Sequence, residues 1–386
     1  MPSVAFVMVS LLVCAVASAA ESLTITRGGT YRDGEYRSVV VNTDEPVVIE
    51  HMTLRGGADG GHLITSHYHR ANVIIRNVRG YGANPNVAGK ATGRFASLEG
   101  FSNVVIENCL LEGTAGIYLL DYAGDHTAKN TLKIRRNRAR NIDGRKSDGK
   151  GGYLAGGEGA AELVQFVQLD KVRAVADVEI AWNEVVNEPG KSRVEDVISI
   201  YLSSGTQTAP IKIHDNFIRG AYAADAATES FSGGGIMLGD GVAKNSPGGD
   251  PAFVEAFENQ VLDTTNYGIA ISAGHDCVFH HNRIVSAGLL PDGTKIAGQN
   301  VGAYVWDSYK AGKDRFHNNG GHDNVIGWKD KAGVRNDWWR PDAATWETNE
   351  TWPSPINLDV YEAEWKRWQE KLKEKGVTVG PSQGAN

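Results

Sequence analysis

Cysteine occurs three times in 386 residues, methionine four times and proline twelve. Three cysteines are too few for a disulfide-stapled scaffold. No apolar run reaches the roughly 20 residues a membrane-spanning helix needs. The net charge of −7, with a pI near 5.9, sets the summed field against polyanions, which excludes a general nucleic-acid or anionic-membrane binder. Glycine is what the chain has in excess, 46 residues without a collagen period, and 22% charged residues do not describe a disordered chain. A long, glycine-punctuated, β-rich protein remains, as two or three ordinary domains or one elongated repeat.

Residues Val4 to Val16 form an apolar stretch too short to cross a bilayer, ending at Ala17-Ser18-Ala19, the small-x-small pattern of a signal-peptidase site. Residues 1–19 are therefore expected to be a signal peptide. The mature protein would be secreted or periplasmic, would carry no membrane anchor after cleavage, and would lose Cys14.

One short pattern recurs, with alternating apolar residues, two polar ones and then asparagine. It closes at Asn77, Asn108, Asn137, Asn183, Asn216, Asn259 and Asn282. Residues three and five before each asparagine share a strand face, and the asparagine sits at a bend where its amide can meet its copy in the next repeat. A second strand precedes it as Gly116-Ile-Tyr-Leu, Gly235-Ile-Met-Leu, Gly268-Ile-Ala-Ile and Gly302-Ala-Tyr-Val, with Val197-Ile-Ser-Ile and Leu163-Val-Gln-Phe as variants. At least two short strands per turn of chain and unequal spacing indicate a solenoid. Cys109 and Cys277 would lie five coils apart, about 24 Å at the ~4.8 Å strand spacing, so both are expected to be free thiols.

The asparagine column and the Gly-Ile-x-Leu strands resemble the right-handed parallel β-helices of the pectin-lyase-like superfamily, over roughly residues 40 to 310. The resemblance implies an all-β, right-handed parallel β-helix that cleaves, epimerises or binds polysaccharide along one sheet. The expected organisation is a β-helix over 20–327 and a C-terminal cap over 328–386. Seven of nine tryptophans fall between Trp328 and Trp368, and a helix from Asp359 to Lys375 would place Tyr361, Trp365, Trp368 and Leu372 on one face as a lid over the last coil.

Long insertions precede the Gly-Ile-x-Leu strand, so that strand should floor a groove. Its outward columns read Tyr118, Gln165, Ser199, Met237, Ala270, Tyr304 and Leu120, Val167, Tyr201, Gly239, Ser272, Trp306. Gln165, Tyr201, Tyr304 and Trp306 are thus candidate sugar contacts. Past the strand come Asp121, Asp125 and His126 as one candidate constellation, and Asp240, His275 and Asp307 as another. A basic stretch from Lys133 to Lys150 suggests an electropositive patch. Arg145, Lys146 and Lys150, extended by Lys191 and Arg193, would meet an acidic substrate.

Elimination beside a uronic acid needs a cation on the carboxylate, a base for the C5 proton and a proton for the leaving oxygen. The basic loop, His126 and Tyr118 are the candidates, and Ca²⁺ could replace the loop if Asp121 and Asp125 converge with other oxygens. Gly124-Asp125-His126 is similar to the Asp-Pro-His segment of alginate C5-epimerases, with glycine at its first position. The leading expectation is a polysaccharide lyase acting on an acidic polysaccharide. Hydrolysis by Asp240 and Asp307 with His275 is the alternative, then epimerisation or glycan binding without chemistry. Gly268-Ile-Ala-Ile-Ser-Ala-Gly-His275-Asp276 looks like the strand bearing paired Asp in polygalacturonases, but Tyr267 and Gly268 stand where that family has its acids. Chondroitinase-B-like lyases would place Lys and Arg where Tyr201 and Met237 stand. His67-x-His69 offers two imidazoles without a third ligand, so no metal site is assigned.

Overall fold

The computed structural model describes residues 21–382, except 128, 231–232, 244–248 and 354. The expected signal peptide, with Cys14, lies outside the described residues. The described residues up to Thr351 wind as a right-handed parallel β-helix of eleven coils, each contributing one strand to each of three eleven-stranded, all-parallel sheets. Coil five is representative, with Ile117–Leu120 in sheet 1, Leu132–Arg135 in sheet 2 and Arg138–Arg140 in sheet 3. Its inward residues Ile117, Leu119, Leu132, Ile134 and Ala139 are fully buried, and the same alternation repeated along the axis makes one continuous apolar core. Cys109 and Cys277 are buried in it as free thiols, and burial pushes both up to about 12.

The corner between sheets 2 and 3 has constant geometry. His51, Asn77, Asn108, Arg136, Trp182, Asp215, Glu258, His281, Asp323 and Thr348 each hold a left-handed backbone with φ between 51° and 57°. The following residue turns inward. From coil five onward that residue is Asn137, Asn183, Asn216, Asn259, Asn282, Asn324 and Asn349. Each amide donates to the Oδ1 of the next, at 2.7–3.0 Å. The same amide donates to a strand carbonyl of the preceding coil, so these buried groups are satisfied.

Two expected members are not in this ladder, and two unexpected ones are. Asn77 and Asn108 are the left-handed residues, and the inward slot after them holds Val78 and Cys109. The inward pair in these coils is Val73/Ile75 and Val104/Ile106. Three consecutive apolar residues at 73–75 and 104–106 hide which alternate set faces inward, so the reading slipped by one position. At the other end the ladder runs on through Asn324 and Asn349.

The helix Asp359–Lys375 forms where expected, and the Gly376 N–H closes it on Leu372 and Lys373 carbonyls at φ 65°. Its role differs from the expectation. Stacking continues through Glu350–Thr351 of coil eleven, past residue 327, and the helix lies along the outside of sheet 3. There Phe217, Leu262 and Val285 point outward and require cover, which Tyr361 and Trp368 provide. Trp368 Nε1 donates to buried Glu184 at 3.0 Å, Glu364 receives Arg283 at 2.8 Å, and Tyr361 donates to Asp263 at 2.8 Å. The tail continues back along the solenoid: Asn108 donates to the Thr378 carbonyl at 2.9 Å and the Ser382 N–H reaches Asn77 at 3.2 Å. The segment is a strap running from coil ten to coil three. An amphipathic helix suits a flank as well as an end, and sequence alone does not show which apolar surface it meets. At the last coil, Trp346 packs edge-on against Phe279 and beside Trp338.

Asn216→Ala removes a mid-ladder amide and strands the groups of Asn183 and Asn259. The expected loss is about 1–3 kcal/mol for each group left unsatisfied. Exposed Lys212→Ala should stay within about 0.5 kcal/mol of the parent in the same urea titration.

Candidate functional site

Sheet 1 is flanked by loops on both edges. Segments 82–95, 141–166, 187–195, 222–233 and 287–300 precede its strands, and 121–131, 241–251 and 306–319 follow them. Two glycines permit the tight leading edge. A Cβ on Gly93 would meet the Gly61 carbonyl at 2.0 Å, and one on Gly116, at φ 77°, would meet Gln165 O at 1.9 Å.

The outward columns differ from expectation at three positions. The first runs Tyr118, Gln168, Ser199, Met237, Ala270, Tyr304. The strand is Val167–Asp170, directly after Leu163-Val-Gln-Phe, so the register moves by three residues and Gln165 precedes the strand. The second column holds Leu120, Asp170, Tyr201 and Asp240. Asp170 stands where Val167 was expected. An irregularity opposite Ser199/Tyr201 inserts one residue in Gly234–Asp240, which brings Asp240 into the place read as Gly239.

These shifts assemble a cluster that the sequence reading missed. The mostly buried Arg94, two residues before the strand Ala96–Glu99, donates to Ala115 O at 3.0 Å, Leu163 O at 3.3 Å and Gln165 Oε1 at 3.4 Å. Its guanidinium lies 5.3 Å from the Tyr118 ring centre, and among the described residues no carboxylate forms an ion pair with it, although the Glu162 charge acts on it through space. Burial lowers its pKa to about 10, which leaves it charged at neutral pH. The Tyr118 hydroxyl donates to Asp170 Oδ2 at 2.8 Å, and burial together with that carboxylate pushes the phenol up. Asp170 Oδ1 is buried and accepts no hydrogen bond, with Lys171 Nζ 3.9 Å away as an ion-pair partner. His62 Nδ1 accepts the Arg94 N–H at 2.9 Å, and burial and the nearby guanidinium hold the imidazole below its usual value, so it is neutral with Nε2–H free to donate.

The expected constellations are not assembled. Asp125 is turned into its own loop, accepting from Thr127 and Asn130, and His126 Nδ1 is engaged with the Ala174 carbonyl at 2.9 Å. Asp121 is a left-handed turn residue. Asp240 accepts from Tyr309 at 2.7 Å, while Asp307 caps the N–H groups of Ala311 and Gly312. His275 opens a sheet 2 strand and pairs with Asp276 at 2.6 Å, stacked on His317. His67 pairs with Glu99 at 3.3 Å rather than with His69.

The electropositive patch is also absent, because its members face different walls and are neutralised there. Lys133 pairs with Asp177 and Glu179, Arg135 and Arg136 with Glu107, and Arg138 and Arg140 with Glu184. Arg145 is locked between Asp143 at 2.9 Å and the Tyr153 ring at 3.9 Å. Lys146 reaches the Gly159 carbonyl, Lys191 pairs with Glu188, and Arg193 is buried against the Glu162 carbonyl and Glu195. Lys150 stays exposed on its loop.

At the far end of the same sheet, Tyr304, Trp306, Trp338 and Trp339 line a cavity of about 340 Å³ with Asn266 and Asn300. Trp306 and Trp339 expose 37% and 48% of their surface, with ring centres 4.8 Å apart. Between the two ends lies Asp196, buried beneath Tyr267, whose hydroxyl donates to it. Burial pushes its carboxyl up to about 6. No protein-family model matches the chain, and no curated protein matches it.

Because the folded-state pKa of Asp196 lies above the unfolded value, the fold retains a proton that the unfolded chain has released, and stability falls as pH rises from 3.8 to about 6. Asp196→Asn keeps an acceptor for Tyr267 and removes the titration. Its urea midpoint should exceed that of the parent above pH 6 and lose the parent's decline across this window.

Proposed function

We propose that the protein is an exported, carbohydrate-active β-helix of the pectin-lyase-like kind, which binds an acidic polysaccharide along sheet 1 and cleaves it by β-elimination. The observation that carries this reading is Arg94, a charged, mostly buried guanidinium without a carboxylate partner, beside a tyrosine already hydrogen-bonded to a carboxylate. A buried cation costs stability unless something pairs with it. A uronate carboxylate is a planar acceptor that matches the guanidinium fork.

With the sugar carboxylate on Arg94, and the Gln165 amide and His62 Nε2–H as further donors, the C5 proton becomes more acidic. Tyr118 Oη takes that proton as its own passes to Asp170. The C5–H electron pair forms the C4–C5 double bond, the C4–O4 bond breaks, and O4 receives the proton as Asp170 returns its own through Tyr118. One phenol on one face of the sugar acts as base and then acid. The aromatic cavity around Trp306 and Trp339, five coils or roughly 24 Å away at the ~4.8 Å strand spacing, supplies a stacking subsite.

One observation favours a second reading. Asp170 and Asp240 stand two coils apart in one column, roughly 9–10 Å at the strand spacing, near the separation inverting hydrolysis uses.

Incubation with pectate, alginate, glycosaminoglycans and bacterial exopolysaccharides separates these. Elimination produces the ultraviolet absorbance of a double bond conjugated to the carboxylate. Tyr118→Phe and Arg94→Ala should each lower that rate by about 10²–10⁴-fold while the fold is retained. New reducing ends without absorbance would establish hydrolysis instead, and binding without either would leave a glycan-binding protein.

A further inference from the structure

We propose a site for a zinc-class divalent ion at the corner between sheets 2 and 3 in coils nine and ten, with His281 Nε2, His322 Nδ1 and Asp323 Oδ2 as ligands. The backbone creates it. In each coil the last outward residue of the sheet 2 strand is followed by the left-handed corner residue, so two consecutive side chains leave the corner toward solvent. In coil nine these are His280 and His281, in coil ten His322 and Asp323, and register sets His280 beside His322. One donor atom from each of His281, His322 and Asp323 lies within 4.8 Å of the others. Asp323 Oδ2 is 2.8 Å from His322 Nδ1 and 3.9 Å from His281 Nε2. The His281 and His322 rings meet at 86° with centres 6.0 Å apart, converging as two ligands of a tetrahedral ion do.

A second observation concerns the tautomer. The His280 ring is held between Phe257 and His322, nearly parallel to both at 5.3 and 4.8 Å. Its Nε2 lies 2.9 Å from the acceptor-only Glu255 carboxylate, which assigns the ring proton to Nε2 and the lone pair to Nδ1. That lone pair faces His281 Nδ1 at 2.8 Å, so His281 donates there and keeps Nε2 unprotonated on the Asp323 side. Glu255 and His280 thus form the carboxylate-to-imidazole support that orients metal-bound histidines, extended by one ring. They are positioning residues.

Binding replaces the contact of His322 Nδ1 with Asp323 by two bonds to the ion, and the neutral His322 ring then carries its proton on Nε2. Two imidazoles and one carboxylate suit zinc, copper(II) or nickel, whereas calcium and magnesium take all-oxygen shells. The three ligands are 51%, 38% and 41% exposed, which leaves a fourth position to water. The other histidine cluster, His275, Asp276 and His317, is less suited. Its rings stack face to face at 15°, and both Asp276 oxygens are already engaged, by His275 and Asn318.

The test is calorimetric titration of Zn²⁺ into the chelator-treated full chain at neutral pH, with Mg²⁺ as the comparison ion. One ion should bind in the micromolar range or tighter and raise the melting temperature with concentration, while Mg²⁺ does neither. His281→Asn and Asp323→Asn, which keep residues tolerant of the left-handed corner, should abolish binding in this range. His280→Phe, which preserves the ring stack but removes the acceptor, should weaken binding by about 10–100-fold. His317→Ala should leave it unchanged, and circular dichroism of each variant verifies the coil. Absence of saturable binding, binding that survives His281→Asn, or binding lost in His317→Ala overturns the site. Affinity undiminished in His280→Phe overturns the tautomer relay on which the ligand assignment rests.

Discussion

The structure depends on one repeated corner. A left-handed residue ends each sheet 2 strand, and the residue after it turns into the core, where from coil five onward a buried amide bonds to its copy above. A buried amide is costly unless every donor and acceptor is met. Stacking in register meets them all at once, and a slip of one residue would strand them. Earlier coils show that the backbone bend comes first. Met52, Val78 and Cys109 fill the inward slot without an amide while the left-handed angles persist. The constant corner also determines where the chain can vary. With one bend closed and tightly bonded, insertions gather at the two edges of sheet 1.

What was legible in the sequence follows from the same physics. Repeated Asn after a strand pattern identifies a stacked coil, since few other folds put an uncharged amide at a recurring inward position. The free thiols and the bounds of the helix Asp359–Lys375 were equally readable. Phase was not. Val73-Ile74-Ile75 gives no alternation to set the inward face, and the irregularity opposite Ser199/Tyr201 is a one-residue event without a composition signature. The strap was hidden for a different reason. Its apolar stripe is plain, but its partners Phe217, Leu262 and Val285 lie far away in sequence and read as ordinary strand residues.

The site was less legible still, because a solenoid distributes neighbouring residues over three walls. Lys133, Arg135, Arg138 and Arg140 look like one basic patch in the chain, yet their acids come from adjacent coils 28 to 46 residues distant. Arg94 shows the converse. A single arginine in Thr-Gly-Arg-Phe carries no motif, and its importance arises only where coils three to six stack and bring Tyr118, Gln165 and Asp170 around it.

The three walls differ in how far their outer faces are already covered. The outer face of sheet 3 is covered by the strap. Sheet 2 is closed by its own side chains, with Glu50, Glu107 and Glu179 compensated by cations and His214, Phe257, His280 and His322 stacked ring on ring. Among the described residues, sheet 1 combines a guanidinium without an ion pair, a buried carboxylate oxygen that accepts no hydrogen bond and two exposed tryptophans. Each is individually unfavourable for an isolated fold, by desolvation or by apolar exposure. The acidic sugar chain proposed as ligand would relieve all three together, its ring faces covering indoles and its carboxylates and hydroxyls meeting Arg94 and Asp170.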